Sequence, residues 1–263
     1  AQLADDLRPH LAAGLPFAAA RTRAIEKAFS AECAALCTQP NNILGIEYCK
    51  AILQIGAKLE PRTLRRIAVG HDAEAASGRF ASASLLRRMS ADAGDIAPYV
   101  PEATAARIRT LQEAGQYPAD LRHLERAILA FLSTASPEAL RRVPDVAEGI
   151  ERRIRAAAGR VQTLEALYDA VKTKRYSHAR IRRIALAAYL GLTDDLPAAP
   201  PYLRVLGMTA AGAERIRAAS PSLPYVMRPA DLKKLPADAQ RIFELEARAD
   251  DMYALCTAQR RPA

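Results

Sequence analysis

The sequence predicts a mostly α-helical protein in which a partial α/β segment is followed by an α-helical C-terminal domain. Ala, Leu, Arg and Glu, which favour helix, are abundant. Half of the residues are hydrophobic but only 5% are aromatic, so aliphatic side chains must build the core. Residues 59–68 have the apolar pattern of a strand. We place the domain boundary between residues 97 and 98, because Gly94, Pro98 and Pro101 interrupt the periodicity there.

The best-defined helix of the first domain follows two adjacent amides, Asn41 and Asn42. Apolar spacing predicts this helix over residues 42–55, and Gly56 ends it. An Asn side chain caps a helix by accepting a free backbone N–H of the first turn, and one amide is enough for that. The other amide, at a helix N-terminus, suits a nucleotide or phosphate. An ordinary capped helix is the alternative. Two earlier helices are predicted at residues 2–13 and 16–28.

Arg66 lies near the end of the predicted strand. In open α/β sheets, ligands bind beyond the carboxyl ends of the strands, so a guanidinium there can pair with a nucleotide phosphate. A surface arginine on an edge strand is the alternative. His71 and Asp72 follow, but no nucleophile accompanies them, so we assign no catalytic site there.

The segment Ser82-Ala83-Ser84-Leu85-Leu86-Arg87 predicts a second phosphate contact. Hydroxyls and first-turn N–H groups of a short helix can hold phosphate, with Arg87 one turn inward. Because Ser is a common helix N-cap, a simple cap explains the same pattern.

Beyond residue 101 nearly the whole chain has helical periodicity. A small helix-and-short-strand element, at residues 202–219, 224–227 and 231–235, follows a Pro-rich linker at residues 196–201. Within the helical run, Asp145 is the predicted cap of one helix. The predicted helices are 102–113, 119–132, 137–142, 146–158, 164–171 and a final one over 239–256.

The most basic segment, residues 172–183, contains six cationic residues and no acidic one. Tyr176 stands among these charges, where its ring would be available to stack on a base. Ser177 is the predicted cap of the next helix, which Gly191 ends. An RNA contact and a solvated face both explain the pattern. The cations are Lys172, Lys174, Arg175, Arg180, Arg182 and Arg183.

Net charge and cysteine usage narrow the class of protein. A formal charge of +9 and a pI near 9.6 favour an anionic partner. No Cys or His pairs stand at zinc-site spacing, so we expect no metal held by the protein. We expect the cysteine thiols to be buried and reduced, in a cytoplasmic protein. No stretch is long and apolar enough to span a membrane.

Several of these segments together resemble segments of the bacterial tRNA(Met) cytidine acetate ligase family, and they occur in the same order as in that family. Residues 247–253 also resemble part of the family's C-terminal helix. The resembling segments are Pro40-Asn41-Asn42-Ile43-Leu44-Gly45-Ile46-Glu47-Tyr48-Cys49-Lys50, Arg66-Ile67, Ser82-Ala83-Ser84-Leu85-Leu86-Arg87, Glu148-Gly149-Ile150-Glu151-Arg152-Arg153-Ile154 and Lys172-Thr173-Lys174-Arg175-Tyr176.

The resemblance implies a Rossmann-like nucleotidyltransferase domain that uses ATP, with Mg²⁺, and acetate to acetylate the wobble cytidine of elongator tRNA(Met) through acetyl-adenylate. It implies that Asn41, Arg66 and Ile67 contact ATP. The serine motif, with Ser82, Ser84 and Arg87, resembles one of the wider nucleotidyltransferase superfamily, and the basic segment would bind the tRNA.

The family also has a HIGH-type histidine motif behind a first strand, and the 263 residues contain none. We therefore expect an N-terminally truncated relative with no catalytic residue of its own, inactive when isolated. Two alternatives stay open: a non-catalytic RNA-binding helical module, and a nucleotidyltransferase acting on a small molecule. The basic helical half argues against the second.

Overall fold

The computed structural model describes residues 2–64, 67, 70, 73–92, 94–197 and 199–259, with the side chain of Gln2 left out. The chain divides into two compact units, residues 1–68 and 69–263. The predicted domain boundary, between residues 97 and 98, lies at a different place from this division. It stays a prediction.

The described residues of the first unit form four helices: α1 (Gln2–Ala12), α2 (Phe17–Ala28), α3 (Ala31–Leu36) and α4 (Pro40–Ile55). Helix α2 packs on both α1 and α3. Its small core is built from Ala20, Ala24, Ile25 and Ala34. Helix α4, in contrast, has no buried residue, although Leu53 and Ile55 are apolar and about four-fifths exposed, at 81% and 78%.

The strand predicted at residues 59–68 is wrong for the described part of that run. Residues 59–64 and 67 have no regular secondary structure, and Leu64 is 99% exposed. A strand needs a hydrogen-bonded neighbour, and the described residues of this unit contain no strand to pair with it. Pro61 also removes one backbone donor from the run.

A helical bundle forms the main core of the second unit. Buried side chains of four helices meet there, with Leu132, Ile154, Leu167 and Ile181 almost fully enclosed. The preceding elements are α5 (Ala83–Ala91), a 3-10 turn at Ala97–Tyr99, α6 (Glu102–Glu113) and a 3-10 turn at Leu121–Leu124. The bundle helices are α7 (Glu125–Thr134), α8 (Pro137–Arg141), α9 (Ile150–Ala158), α10 (Leu164–Val171) and α11 (His178–Leu190).

Side-chain caps fix where several of these helices begin. Ser136, Thr163 and Ser177 each accept a hydrogen bond from a first-turn backbone N–H. Helix α11 ends at Gly191, whose φ of 82° is the left-handed conformation that glycine adopts readily. The predictions for Ser177 and Gly191 are therefore confirmed.

A two-stranded sheet lies near the C-terminal end of the described residues. Strand β1 (Leu203–Arg204) pairs in parallel with β2 (Tyr225–Val226), and α12 (Ala210–Ala218) connects them. A 3-10 turn at Pro229–Lys234 and helix α13 (Ala237–Ala254) complete the unit. The short-strand element predicted in this region is thus confirmed.

Three predicted details are wrong. Helix α9 begins at Ile150, because Asp145 adopts a positive φ of 72° and does not act as a helix cap. Leu255, which the apolar spacing of the final helix predicts to face the core, is exposed, and Cys256 is buried in its place. Cys33 and Cys49 are exposed, so the expected burial of the thiols fails for them.

Among the described residues, no helix is both long enough and apolar enough to span a bilayer.

Candidate functional site

The N-terminus of α4 presents the first predicted ligand-binding position. Pro40 is the first helical residue, and Gln39 precedes it without a side-chain cap. Neither Asn therefore caps the helix, since a proline preorganised for the first turn starts it earlier than predicted. Asn42 donates from Nδ2 to the Leu36 carbonyl at 3.2 Å. Asn41 is exposed and forms no side-chain hydrogen bond within the described residues, so its amide is available.

The two other positions of this predicted site lie after α4. Arg66 lies outside the described residues, so nothing is said of its geometry. Ile67 is described and is 70% exposed. An exposed isoleucine can contribute its backbone or an apolar contact to a ligand, while its side chain offers no polar group.

The serine motif forms the start of α5. Ser82 is 2% exposed, and its hydroxyl accepts from the Leu85 N–H at 3.1 Å while donating to the Ala73 carbonyl at 2.7 Å. Ser82 is thus a helix cap, the alternative that the pattern left open. Ser84 is half-buried in the first turn, and Arg87 is exposed without an ion pair among the described residues. A phosphate at this turn would meet Ser84 and Arg87 before Ser82.

Four of the six cations of the basic segment have acidic partners, contrary to expectation. Arg182 donates two hydrogen bonds of 2.9 Å to the Glu165 carboxylate. Arg175 forms an ion pair with Glu148. Because these acidic partners lie on other elements, the local sequence showed six cations and no counter-charge.

The carboxylate of Asp145 forms ion pairs with two arginines. Arg180 lies 3.0 Å from its Oδ1 and Arg183 lies 3.5 Å from its Oδ2. Arg180 also donates to the Asp145 backbone carbonyl at 3.0 Å. The positive φ values of Asp145 and Glu148 belong to the turn that precedes α9, and this turn carries both carboxylates to the basic segment.

Tyr176 does not present its ring to solvent. It is 3% exposed, its Oη donates to the Ala147 carbonyl at 2.8 Å, and the Arg180 guanidinium lies 4.1 Å from the ring centre. The prediction that this ring is available to stack on a base is wrong, because the core encloses one side and a cation covers a face. Sequence proximity to charges did not reveal that Tyr176 belongs to the bundle core.

Lys172 and Lys174 are the exposed cations of the segment that keep their charge available. In the part of the chain that the structure describes, no carboxylate lies within 4.0 Å of either ammonium. The Lys172 carbonyl accepts a hydrogen bond of 3.3 Å from Arg153, which also donates to Ala170 at the end of α10. The start of the segment is therefore held against α9.

A groove of 610 Å³ between α10 and α11 was missed by sequence reasoning. Every charged side chain that lines it already has a partner: the Arg122 hydrogen bond, for example, holds the pKa of Asp120 below its ordinary value. Burial raises the pKa of Tyr168, over whose ring the Arg182 guanidinium lies at 5.2 Å. The groove thus has apolar surface between charged side chains that are already paired, and none of its lining cations is free to bind an anion.

Within the described ranges, no group of three or more His, Cys, Asp or Glu side chains is placed to hold an ion.

The family model described as HIGH nucleotidyl transferase matches residues 1–263. A relative from Acetivibrio thermocellus, named tRNA(Met) cytidine acetate ligase, is 31% identical, with 95% of this chain and 64% of the relative covered. One of the same name from Caldanaerobacter subterraneus subsp. tengcongensis is 34% identical, with 95% and 63% covered.

Two solved structures have the same fold. Thermotoga maritima TmcAL in its apo form superposes with a TM-score of 0.88 at 24% identity, covering 100% of this chain and 66% of that one. The same protein bound with alpha-thio ATP gives a TM-score of 0.85. The chain therefore spans a little under two thirds of the length of the relatives it matches.

Proposed function

Because the chain belongs to the HIGH nucleotidyl transferase family, we propose that it serves in ATP-dependent acetylation of the wobble cytidine of elongator tRNA(Met) in the cytoplasm. The observation that carries this proposal is the similarity of 95% of the chain, at 31% and 34% identity, to relatives named tRNA(Met) cytidine acetate ligase. A basic surface and an exposed amide at a helix N-terminus are compatible with an RNA and a nucleotide as ligands.

The proposed reaction has two steps. A carboxylate oxygen of acetate attacks the α-phosphorus of ATP, and pyrophosphate leaves as acetyl-adenylate forms. The cytidine amine then attacks the acetyl carbonyl, and AMP leaves as the acetylated base forms. Negative charge grows on the phosphates in the first step, so hydrogen-bond donors and cations fixed around them lower its barrier.

We assign ATP contacts to Asn41, Arg66 and Ile67, and phosphate contacts to Ser84 and Arg87. The free amide of Asn41 supports the first assignment. The exposed guanidinium of Arg87 supports the last. Ser82 would act indirectly, by fixing the first turn of α5 through its cap. Mg²⁺, when bound with ATP, would neutralise phosphate charge.

We assign tRNA phosphate contacts to the basic segment, led by Lys172 and Lys174. The paired arginines, Arg175, Arg180, Arg182 and Arg183, would contribute through N–H groups that their carboxylate partners leave unused. The histidine motif of the resembling family does not occur in these residues, so we expect the chain alone to bind its substrates without forming acetyl-adenylate.

A chimera tests this function. Residues 1–263 replace the matching segment of the Acetivibrio thermocellus relative, and the product is assayed with ATP, labelled acetate and an elongator tRNA(Met) transcript. Acetylation that disappears when the wobble cytidine is changed to uridine supports the proposal. A folded chimera that binds neither ATP nor this tRNA contradicts it.

The non-catalytic RNA-binding module is the second candidate. The observation in its favour is that the basic segment and its ion-pair partners all lie within one compact unit, residues 69–263. Tight tRNA binding by a folded chimera that never acetylates the tRNA would favour this module over the ligase.

A further inference from the structure

We propose that a cleft on the outer face of α9 binds phosphates of the RNA backbone, at a site distinct from the basic segment. This inference rests on the proposed function for its choice of RNA. The cleft has a volume of 420 Å³ and lies where α9 meets the end of α7 and the start of α8. Its lining residues are Ser133, Pro137, Arg152, Arg155, Ala156, Gly159 and Arg160.

The charge of this cleft is uncompensated. Arg152, Arg155 and Arg160 are exposed, and among the described residues no carboxylate lies within 4.0 Å of their guanidinium nitrogens. Arg155 donates from Nε to the Ser133 carbonyl at 3.2 Å, which orients its terminal nitrogens without neutralising them. Three positive charges therefore face solvent together, whereas all four arginines of the basic segment have acidic partners.

The opposite face of α9 fixes this orientation. Ile150, Ile154 and Ala158 are buried in the bundle core. Rotation of the helix that turned its arginines inward would expose these apolar side chains to water. Arg152 and Arg155 are one helical turn apart, and Arg160 follows the helix end at Gly159. At about 1.5 Å per residue the three positions span about 12 Å along the axis. This is a linear array, suited to an extended anion and not to a single ion.

The chemistry of the lining favours a nucleic acid backbone. Guanidinium groups bind phosphate through two parallel hydrogen bonds. Ala156 and Gly159 leave room for close approach between the arginines. An acidic peptide would use the same charges, but it usually needs apolar pockets for its anchoring side chains, and the cleft is lined by arginines and small residues.

The test is a salt titration of tRNA(Met) binding by the 263-residue chain and by the variant Arg152→Gln/Arg155→Gln/Arg160→Gln. Each lost phosphate contact removes up to about 0.9 from the slope of log affinity against log salt. We expect a slope reduced by about 2 to 3 and an affinity lowered about tenfold or more. The matched control is Arg107→Gln/Arg215→Gln/Arg217→Gln, which removes three exposed charges that have no ion pair among the described residues. It should change the affinity and the slope far less.

The outcomes separate this inference from the function on which it rests. Wild-type binding with an unchanged slope in the folded cleft variant would overturn the cleft and leave the function standing. Equal losses in both triple variants would overturn it too, because net charge alone would explain them. If the cleft variant loses binding to poly-glutamate but keeps tRNA binding, the site takes acidic peptides. Absence of tRNA binding by the wild type would overturn the cleft and the function together.

Discussion

The guanidinium of Arg180 lies 4.1 Å from the centre of the Tyr176 ring, on the face that a stacked base would need. The same guanidinium also reaches Asp145, whose carboxylate lies 3.0 Å away. Cation–π contact and ion pair together hold Arg180 over the aromatic ring. Tyr176 is therefore part of the bundle that supports the basic segment, and its expected role changes from RNA contact to structural support.

Removing the Tyr176 hydroxyl should affect stability and leave RNA binding unchanged. Tyr176→Phe keeps the buried ring but deletes the hydrogen bonds with Ala147, whose N–H donates to the hydroxyl at 3.2 Å. We expect the free energy of unfolding to fall by about 0.5 to 1.5 kcal/mol, the usual net value of such bonds. Urea denaturation measures this change. A marked loss of tRNA affinity with unchanged stability would restore the stacking role.

Local sequence predicted the helices well where a cap and an apolar stripe agree. Helix α11 is defined by its cap Ser177, its C-terminal Gly191 and the buried stripe of Ile181 and Ile184. These residues are near one another in the sequence, so the local pattern is enough to predict the helix. Asp145 shows the limit of this reasoning. The pattern does not reveal a positive φ that turns an apparent cap into an ion-pair acceptor.

The candidate sites depend on contacts that sequence order hides. Arg182 and Glu165 are 17 residues apart, and Arg183 and Asp145 are 38 apart, so no local count of charges could pair them. The strand expected at residues 59–68 failed for a similar reason, since a strand is defined by its neighbour. In contrast, the exposed amide of Asn41 follows from its place beside Pro40, which is readable in the sequence once the proline is taken as the helix start.

Lys172 and Lys174, which have no ion pair among the described residues, should contribute more to the salt-dependent RNA affinity of the basic segment than a paired arginine does. Lys172→Ala/Lys174→Ala should weaken tRNA binding and reduce the slope of log affinity against log salt by about 1 to 2. Arg175→Ala alone should have less effect, because Glu148 already neutralises that guanidinium. Filter binding at several salt concentrations measures both. A larger effect for Arg175→Ala would mean that its ion pair opens when RNA binds.

The loop after α11 is joined to α13 by Asp195, and this contact should make stability depend on pH. Hydrogen bonds from Arg241 and then Thr193 hold the pKa of Asp195 well below its ordinary value. A carboxylate with a lowered folded-state pKa stabilises the fold above its unfolded pKa of about 3.9, and this contribution is lost as pH falls through the folded value.

Asp195→Asn should therefore be less stable than wild type at pH 7, and the difference should narrow as the pH falls below about 4. Thermal unfolding across this range measures it. Glu244→Gln is the matched control, because Glu244 is exposed and has no ion pair among the described residues, and it should show little difference at either pH. A gap for Asp195→Asn that stays constant with pH would assign its effect to packing.

Arg87 and Arg88 provide a neighbouring pair that tests the phosphate contact at α5. Both are exposed and neither has an ion pair within the described residues, so their substitution should have similar effects on stability. Only Arg87 belongs to the serine motif. We expect Arg87→Ala to weaken ATP binding and Arg88→Ala to leave it nearly unchanged, as measured by isothermal titration calorimetry. Equal losses would indicate a general charge effect.

Asn41 and Asn42 separate ligand binding from helix structure at the start of α4. The Asn42 amide is used by the Leu36 carbonyl, while the Asn41 amide has no partner in the described part of the chain. Asn41→Ala should therefore weaken ATP binding by about 1 to 3 kcal/mol, the cost of a lost bond to a charged group, and we expect a similar loss for Arg66→Ala.

Asn42→Ala is the control for this pair, because it should lower the stability of the first unit slightly and leave ATP affinity close to wild type. Calorimetry with ATP, after circular dichroism has verified folding, distinguishes the two positions. Wild-type affinity in both Asn41→Ala and Arg66→Ala would place the nucleotide away from this helix end. A loss in Asn42→Ala alone would mean that the helix start, and not a direct amide contact, controls binding.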